Sequence, residues 1–169
     1  MKPFLHFLAA LLLASLQPVL LRHLGGGIVS LALPLPCVVH LGLRAGVVEG
    51  ALGSAAVGFV LDLMAGGPKG LLTFLAVLVF LVSRLVGASL EIRNRFGFAA
   101  LSGVMTFLFG FGAWLLTRYV SEPVAAPGGR LLLRVLIEAI LTGVAAPAVG
   151  FVLQRIDRLV EREEPGLLR

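Results

Sequence analysis

The sequence contains a single cysteine, Cys37, and only three histidines. A lone cysteine excludes an intramolecular disulfide and a thiolate metal site. The histidines His6, His23 and His40 all lie in the first quarter of the chain, and no two have the i, i+4 spacing of a helical metal site. We therefore expect neither a metal nor a cofactor.

Acidic residues are also scarce within the apolar parts of the chain. A two-aspartate intramembrane protease needs two aspartates inside the membrane, and Asp62 stands alone there. The many-aspartate metal cluster of lipid phosphotransferases is missing. No histidine follows Cys37 or a later serine closely enough to suggest a nucleophile–base pair. The sequence thus predicts a protein that is not an enzyme.

Apolar residues dominate what is present: 59% of the chain is hydrophobic and 14% is charged, with a mean hydropathy of +1.04. The charged share lies well below the roughly one quarter of globular domains, which indicates an all-α integral membrane protein. Six apolar stretches are candidate spans, at 4–21, 28–43, 46–65, 70–90, 96–120 and 131–153. We expect one six-helix bundle over 1–153 and a cytoplasmic amphipathic tail over 154–169.

The positive charges indicate an orientation. With the N-terminus inside, nine of the 14 lysines and arginines face the cytoplasm and five face outward, which favours cytoplasmic N- and C-termini. The net charge of +5 is then explained by an inner-face cluster that meets anionic lipids, and it does not suggest nucleic acid.

The second apolar stretch contains Pro34 and Pro36, each of which removes a backbone donor. In hydrocarbon, such a break persists only where neighbouring helices or a cavity satisfy the freed carbonyls. We expect this span to be buried, with a structural kink at the prolines. The alternative is a pair of half-helices that flank a ligand site.

Small residues recur at every fourth position from Gly42 onward, and on a helix they share one face. Such a face lets two helix backbones approach closely in lipid. We call its members in the third span the small-residue stripe: Gly46, Gly50, Ser54 and Gly58. The pattern predicts that the third span is the most buried of the six.

Asp62 continues the small-residue stripe, and Glu138 lies at a similar depth in the sixth span. Two acids at one depth could form a proton or cation site. Alternatively, each could be structural. Asp62 could accept hydrogen bonds from the following turn and helix start or pair with a base, and Glu138 could pair with Arg134. We prefer the structural interpretation.

The segment from Gly46 to Leu71 is a glycine-rich apolar stretch that ends in a short glycine-containing turn. Six of its residues form a motif: Gly58, Phe59, Asp62, Leu63, Gly66 and Gly70. In this motif the segment resembles the rod shape-determining protein MreD family, which has a glycine-rich helix ending in Gly-Phe-x-x-Gly/Leu-Asp-Leu and then a short glycine-containing turn. The turn comprises Gly66, Gly67, Pro68 and Gly70, and it departs from the family by carrying Pro68-Lys69.

The resemblance implies a non-enzymatic scaffold of the cell-elongation complex in the bacterial cytoplasmic membrane. Its implied partners are MreC, the wall synthase RodA with its partner transpeptidase, MreB directly or indirectly, and membrane lipids. The family is similar in fold to the substrate-binding S components of energy-coupling factor vitamin transporters. Such an S component is therefore the alternative function.

Two features bear on that alternative. Ala10 and Ala14 form an Ala-x-x-x-Ala pair of the kind S components use to contact their transporter. A vitamin site, however, needs several convergent polar and aromatic side chains. The outer halves of the spans offer few beyond Asp62, Thr117, Tyr119 and Glu138. The sequence therefore favours the scaffold.

Overall fold

The computed structural model describes residues 32–65, 68–89, 94–120 and 129–163, together with Leu8 and Leu12. These residues form five helices: α1 (Pro34–Arg44), α2 (Val47–Ala65), α3 (Leu71–Ser89), α4 (Arg95–Val120) and α5 (Gly129–Glu163). The predicted first span lies outside the described residues except for Leu8 and Leu12, which are helical and exposed.

Within the part of the chain that the structure describes, four segments are long and apolar enough to cross a membrane: Val47–Ala65, Leu71–Ser89, Arg95–Tyr119 and Leu132–Arg155. The expectation of an all-α, multi-pass membrane protein is confirmed in these terms. α5 continues beyond its span to Glu163, past the predicted start of the tail at residue 154.

The four long helices form an arc in chain order around α1. α2 contacts α3, α3 contacts α4, and α4 contacts α5, while α1 touches all four. Successive helices run in opposite directions, so the end of α2 meets the start of α3 at one end of the bundle. We call this the Asp62 end and the opposite one the Arg44 end.

α1 is the most buried helix of the described chain, with nine consecutive buried residues from Pro34 to Gly42. The prediction that the third span would be the most buried is therefore wrong. Among the described helices, α2 contacts α1 and α3 and no other. Its remaining surface, including Leu52 and Phe59, is exposed.

The prolines lie at the start of α1 and not in the middle of a helix, which corrects the predicted kink. Pro34 occupies the first helical position, where a missing N–H costs no intrahelical bond. At about 1.5 Å per residue, 11 residues extend only about 16 Å, roughly half of a bilayer core. α1 as described therefore does not cross a membrane by itself.

Two long-range hydrogen bonds hold the ends of α1. The Ala32 N–H, just before the helix, donates to the Thr142 hydroxyl oxygen at 3.1 Å. Thr142 lies near the middle of the last span, so α1 begins at mid-depth in the bundle. At the other end, the Arg84 guanidinium donates to the Ala45 carbonyl at 2.8 Å. α1 thus occupies the half of the bundle toward the Arg44 end.

Three members of the small-residue stripe are buried: Gly50, Ser54 and Gly58. A methyl group added to Gly58 would lie 2.5 Å from the Thr73 Cα, and one added to Gly50 would overlap the Phe80 ring. Both neighbours belong to α3, so these glycines allow α2 and α3 to pack closely. Gly46 is exposed, and among the described residues a methyl group there would meet only the Glu49 carboxylate, at 4.0 Å.

The contrast within this stripe generates a paired prediction. Gly58→Ala should lower the free energy of unfolding by about 1–3 kcal/mol, because the α3 backbone must move away from the added methyl group. Gly46→Ala should change it by less than about 0.5 kcal/mol. Thermal unfolding of both purified variants in detergent measures the difference, and equal effects would contradict the proposed packing role.

The mid-depth start of α1 generates a second prediction. Thr142→Val keeps the shape of the side chain but leaves the Ala32 N–H without its acceptor, at a cost of about 1–3 kcal/mol. Thr117 is the matched control, since its exposed hydroxyl bonds only to the Ala113 carbonyl of its own helix. Thr117→Val should be nearly silent in the same unfolding measurement. A Thr142→Val protein as stable as the Thr117→Val protein would refute this role.

Candidate functional site

Asp62 lies in the last turn of α2, and its carboxylate accepts four hydrogen bonds from the start of α3. Oδ2 accepts the Gly70 N–H at 3.0 Å, the Thr73 N–H at 3.0 Å and the Thr73 hydroxyl at 2.6 Å. Oδ1 accepts the Leu72 N–H at 2.9 Å. The amides at a helix start have no intrahelical acceptor, so Asp62 supplies one from the preceding helix. This is the first of the structural alternatives considered for Asp62.

The turn places those donors within reach of Asp62. Gly70 has a φ of 90°, a left-handed conformation that glycine adopts without a steric penalty. Its N–H points to Asp62, while its carbonyl accepts the Phe74 N–H at 2.9 Å within α3. Pro68 is half-buried, and Gly66 and Gly67 lie outside the described residues.

Glu138 does not join Asp62 in a common site. It is half-buried on α5, one helical turn after the exposed Arg134. α2 and α5 occupy opposite ends of the arc and make no contact within the described chain. The similar depths of Asp62 and Glu138 in their spans suggested a two-acid proton or cation site. The described residues do not form one.

A cavity of about 470 Å³ at the Arg44 end was not predicted from the sequence. We call it the basic cavity. It is lined by His40, Leu43, Arg44, Gly87, Asn94, Arg95, Phe98, Pro147, Gly150, Phe151 and Gln154. None of these described lining residues is acidic, and two are arginines.

Two glycines provide part of the space for the basic cavity. Gly87 and Gly150 lack side chains, and a methyl group at Gly150 would lie 2.9 Å from the Phe98 ring. That ring in turn stands edge-on to the His40 imidazole, with centroids 6.3 Å apart. The only signal in the sequence was that polar residues recur at the ends of several apolar stretches, and no motif joins them.

A second concavity, of about 640 Å³, lies between α4 and α5. We call it the apolar groove. It is lined by Phe96, Ala99, Ala100, Gly103, Val104, Phe107, Leu136, Ala139, Ile140, Gly143, Val144 and Pro147. Gly103 and Gly143 let the two helices meet, since a methyl group at Gly103 would lie 3.2 Å from the Ala139 carbonyl oxygen. The described lining residues are all apolar, so this surface suits hydrocarbon.

The Asp62 geometry generates a third prediction. Both carboxylate oxygens accept hydrogen bonds, so Asp62→Asn replaces one acceptor by an NH₂ group that faces an N–H or O–H donor. We expect the free energy of unfolding to fall by about 1–3 kcal/mol, which is more than the small cost expected for an ordinary helix cap. Asp62→Leu should cost more, because all four donors lose their acceptor.

Thr73→Val serves as the matched control, since it removes only the hydroxyl bond and should cost about 1 kcal/mol. Thermal unfolding in detergent should therefore rank the variants Thr73→Val, Asp62→Asn and Asp62→Leu in order of increasing loss. An Asp62→Asn protein as stable as the parent would overturn the account of both oxygens as acceptors.

Comparisons of the chain with protein-family models, curated proteins and solved structures found no match. The resemblance to the MreD family therefore stays a prediction from the sequence.

Proposed function

We propose that this protein is a non-enzymatic membrane scaffold of the bacterial cell-elongation machinery, of the MreD type. In this role it binds MreC in the cytoplasmic membrane. It connects MreB, directly or indirectly, to the wall synthase RodA and its partner transpeptidase. We further propose that the first apolar stretch, at 4–21, forms a helix that joins the five described ones in the six-helix bundle expected from the sequence.

The observation that supports the proposal is that two motif residues, Gly58 and Asp62, contact α3. Gly58 lies against the α3 backbone, and the Asp62 carboxylate accepts hydrogen bonds from four donors at the start of α3. Both residues join α2 to α3. A carboxylate occupied in this way is suited to fixing the ends of two helices, which is what a scaffold requires.

The packing of the bundle centre supports a scaffold over a vitamin-binding S component. The side chains at the centre are largely apolar, among them Leu35, Val38 and Val39 of α1 and Phe80 of α3. The S-component alternative calls for convergent polar groups in the outer half of the bundle. The polar lining described above lies instead at the Arg44 end.

The distribution of positive charge supports cytoplasmic termini. Arg44, Arg84, Arg95 and Arg155 belong to the Arg44 end, which the proposed orientation directs into the cytoplasm. This orientation directs the α2–α3 turn outward, toward the side on which MreC and the wall synthases would meet it.

The test combines two measurements in the bacterium that carries this chain. Depletion of the protein should turn rod-shaped cells into rounded ones, and the tagged protein should recover MreC and RodA from native membranes. Thr73→Val, which keeps the Asp62 carboxylate, should restore rod shape. Asp62→Leu should restore rod shape less well, in proportion to its loss of folded protein.

Two results would contradict the proposal. Recovery of an ATP-driven transporter module in place of MreC and RodA would favour the S component. An Asp62→Asn protein that folds normally but does not restore rod shape would assign the acid a role in proton or cation chemistry, against the structural interpretation.

A further inference from the structure

The basic cavity concentrates positive charge in a polar recess. Arg44 ends α1 and Arg95 begins α4, and both side chains line the cavity. Asn94 and Gln154 add polar groups, and none of the described lining residues offsets the two positive charges with a carboxylate. A nearby third arginine, Arg84, is already bound to the Ala45 carbonyl. The lining therefore matches an anion.

The start of α4 adds to this match. α4 has 26 residues, and its first turn lies at the cavity beside Arg95. The Asn94 side chain accepts the Phe96 N–H at 3.5 Å, and the Asn94 carbonyl accepts the Phe98 N–H at 3.1 Å. These bonds already occupy two amides near the start of α4, so the helix contributes the positive end of its dipole and not those two N–H groups. Together with two guanidinium groups, the dipole favours a phosphate at this position.

The depth of the basic cavity places it among lipid headgroups. Arg95 is the first residue of one candidate span, and Gln154 is the penultimate residue of another. The polar region of a bilayer begins where the apolar spans end. The phosphates of the adjacent leaflet therefore lie at the level of this cavity.

The apolar groove begins where the basic cavity ends. Pro147 lines both, and Arg95 of the cavity is followed by Phe96 of the groove. From Pro147 to Leu136 the groove extends along α5 over 12 residues, an axial distance of about 16 Å. This is about half of a hydrocarbon core of roughly 30 Å, the depth that one acyl chain fills.

We infer that the basic cavity and the apolar groove together bind one phosphate-bearing membrane lipid. Its headgroup phosphate lies between Arg44 and Arg95, and an acyl chain follows the groove between α4 and α5. The cavity volume of about 470 Å³ leaves room for a headgroup larger than phosphate alone. This inference does not depend on the proposed scaffold function.

The test uses the full-length protein in a neutral detergent. Native mass spectrometry and thermal unfolding are followed during titration with phosphatidylglycerol, with zwitterionic phosphatidylcholine, and with inorganic phosphate. We expect retention of one phosphatidylglycerol and a rise in the unfolding temperature, with weaker effects from the other two ligands. Inorganic phosphate as effective as the lipid would identify a free-anion site and overturn the inference.

Arg44→Gln/Arg95→Gln removes two exposed charges from the basic cavity and should weaken phosphatidylglycerol binding roughly 25-fold, at about one factor of five per arginine. Lys69→Gln/Arg118→Gln removes two exposed charges from the Asp62 end and is the matched control. Equal weakening by both double variants would show general attraction of anionic lipid and would contradict a site. The unfolding temperature without lipid confirms that each variant folds.

Ala100→Phe tests the acyl-chain half of the inference. Ala100 is exposed and lines the apolar groove, so a phenyl ring can occupy the groove without entering the α4–α5 contact. This variant should weaken binding of long-chain phosphatidylglycerol and leave that of a short-chain analogue unchanged. Unaltered binding of the long-chain lipid would remove the groove from the site.

Discussion

A helix that begins inside an apolar bundle has to satisfy its first amides without water, and α1 meets this constraint by its sequence and by one partner. Pro34 and Pro36 have no N–H, and the Leu35 N–H donates to the Ala32 carbonyl. The Ala32 N–H donates in turn to Thr142. The Leu35 and Ala32 N–H groups therefore have acceptors, although no side chain caps the start of α1. For this reason the helix can begin at mid-depth among its four neighbours.

The same requirement shapes both ends of the bundle. At the Asp62 end, a carboxylate at the end of α2 accepts from the start of α3. At the Arg44 end, the Arg84 guanidinium donates to a carbonyl just past α1. In each case a charged side chain of one helix completes the hydrogen bonding of another. These hydrogen bonds, together with the close α2–α3 approach at Gly58, hold α1, α2 and α3 to one another.

Polar and apolar surfaces are separated along α4 and α5. Pro147 lies inside α5, where it removes the amide that would otherwise bond to the Gly143 carbonyl. It also marks the boundary between the basic cavity and the apolar groove. On one side lie arginines and amides at the level of lipid headgroups, and on the other lies hydrocarbon-like surface. The position of this boundary gives the proposed lipid site its amphipathic character.

The sequence by itself determined the membrane class, the four long apolar helices and the close-packing role available to Gly58, because apolar length and small-residue spacing are local properties. It also placed Asp62 beside the donors of the next helix start, since only a short turn separates them. Tertiary structure decided the rest. The prolines begin a half-length helix because Thr142, more than 100 residues away, supplies the acceptor for the Ala32 N–H just before it. The basic cavity exists because α1, α3, α4 and α5 converge there, which no spacing along the chain records.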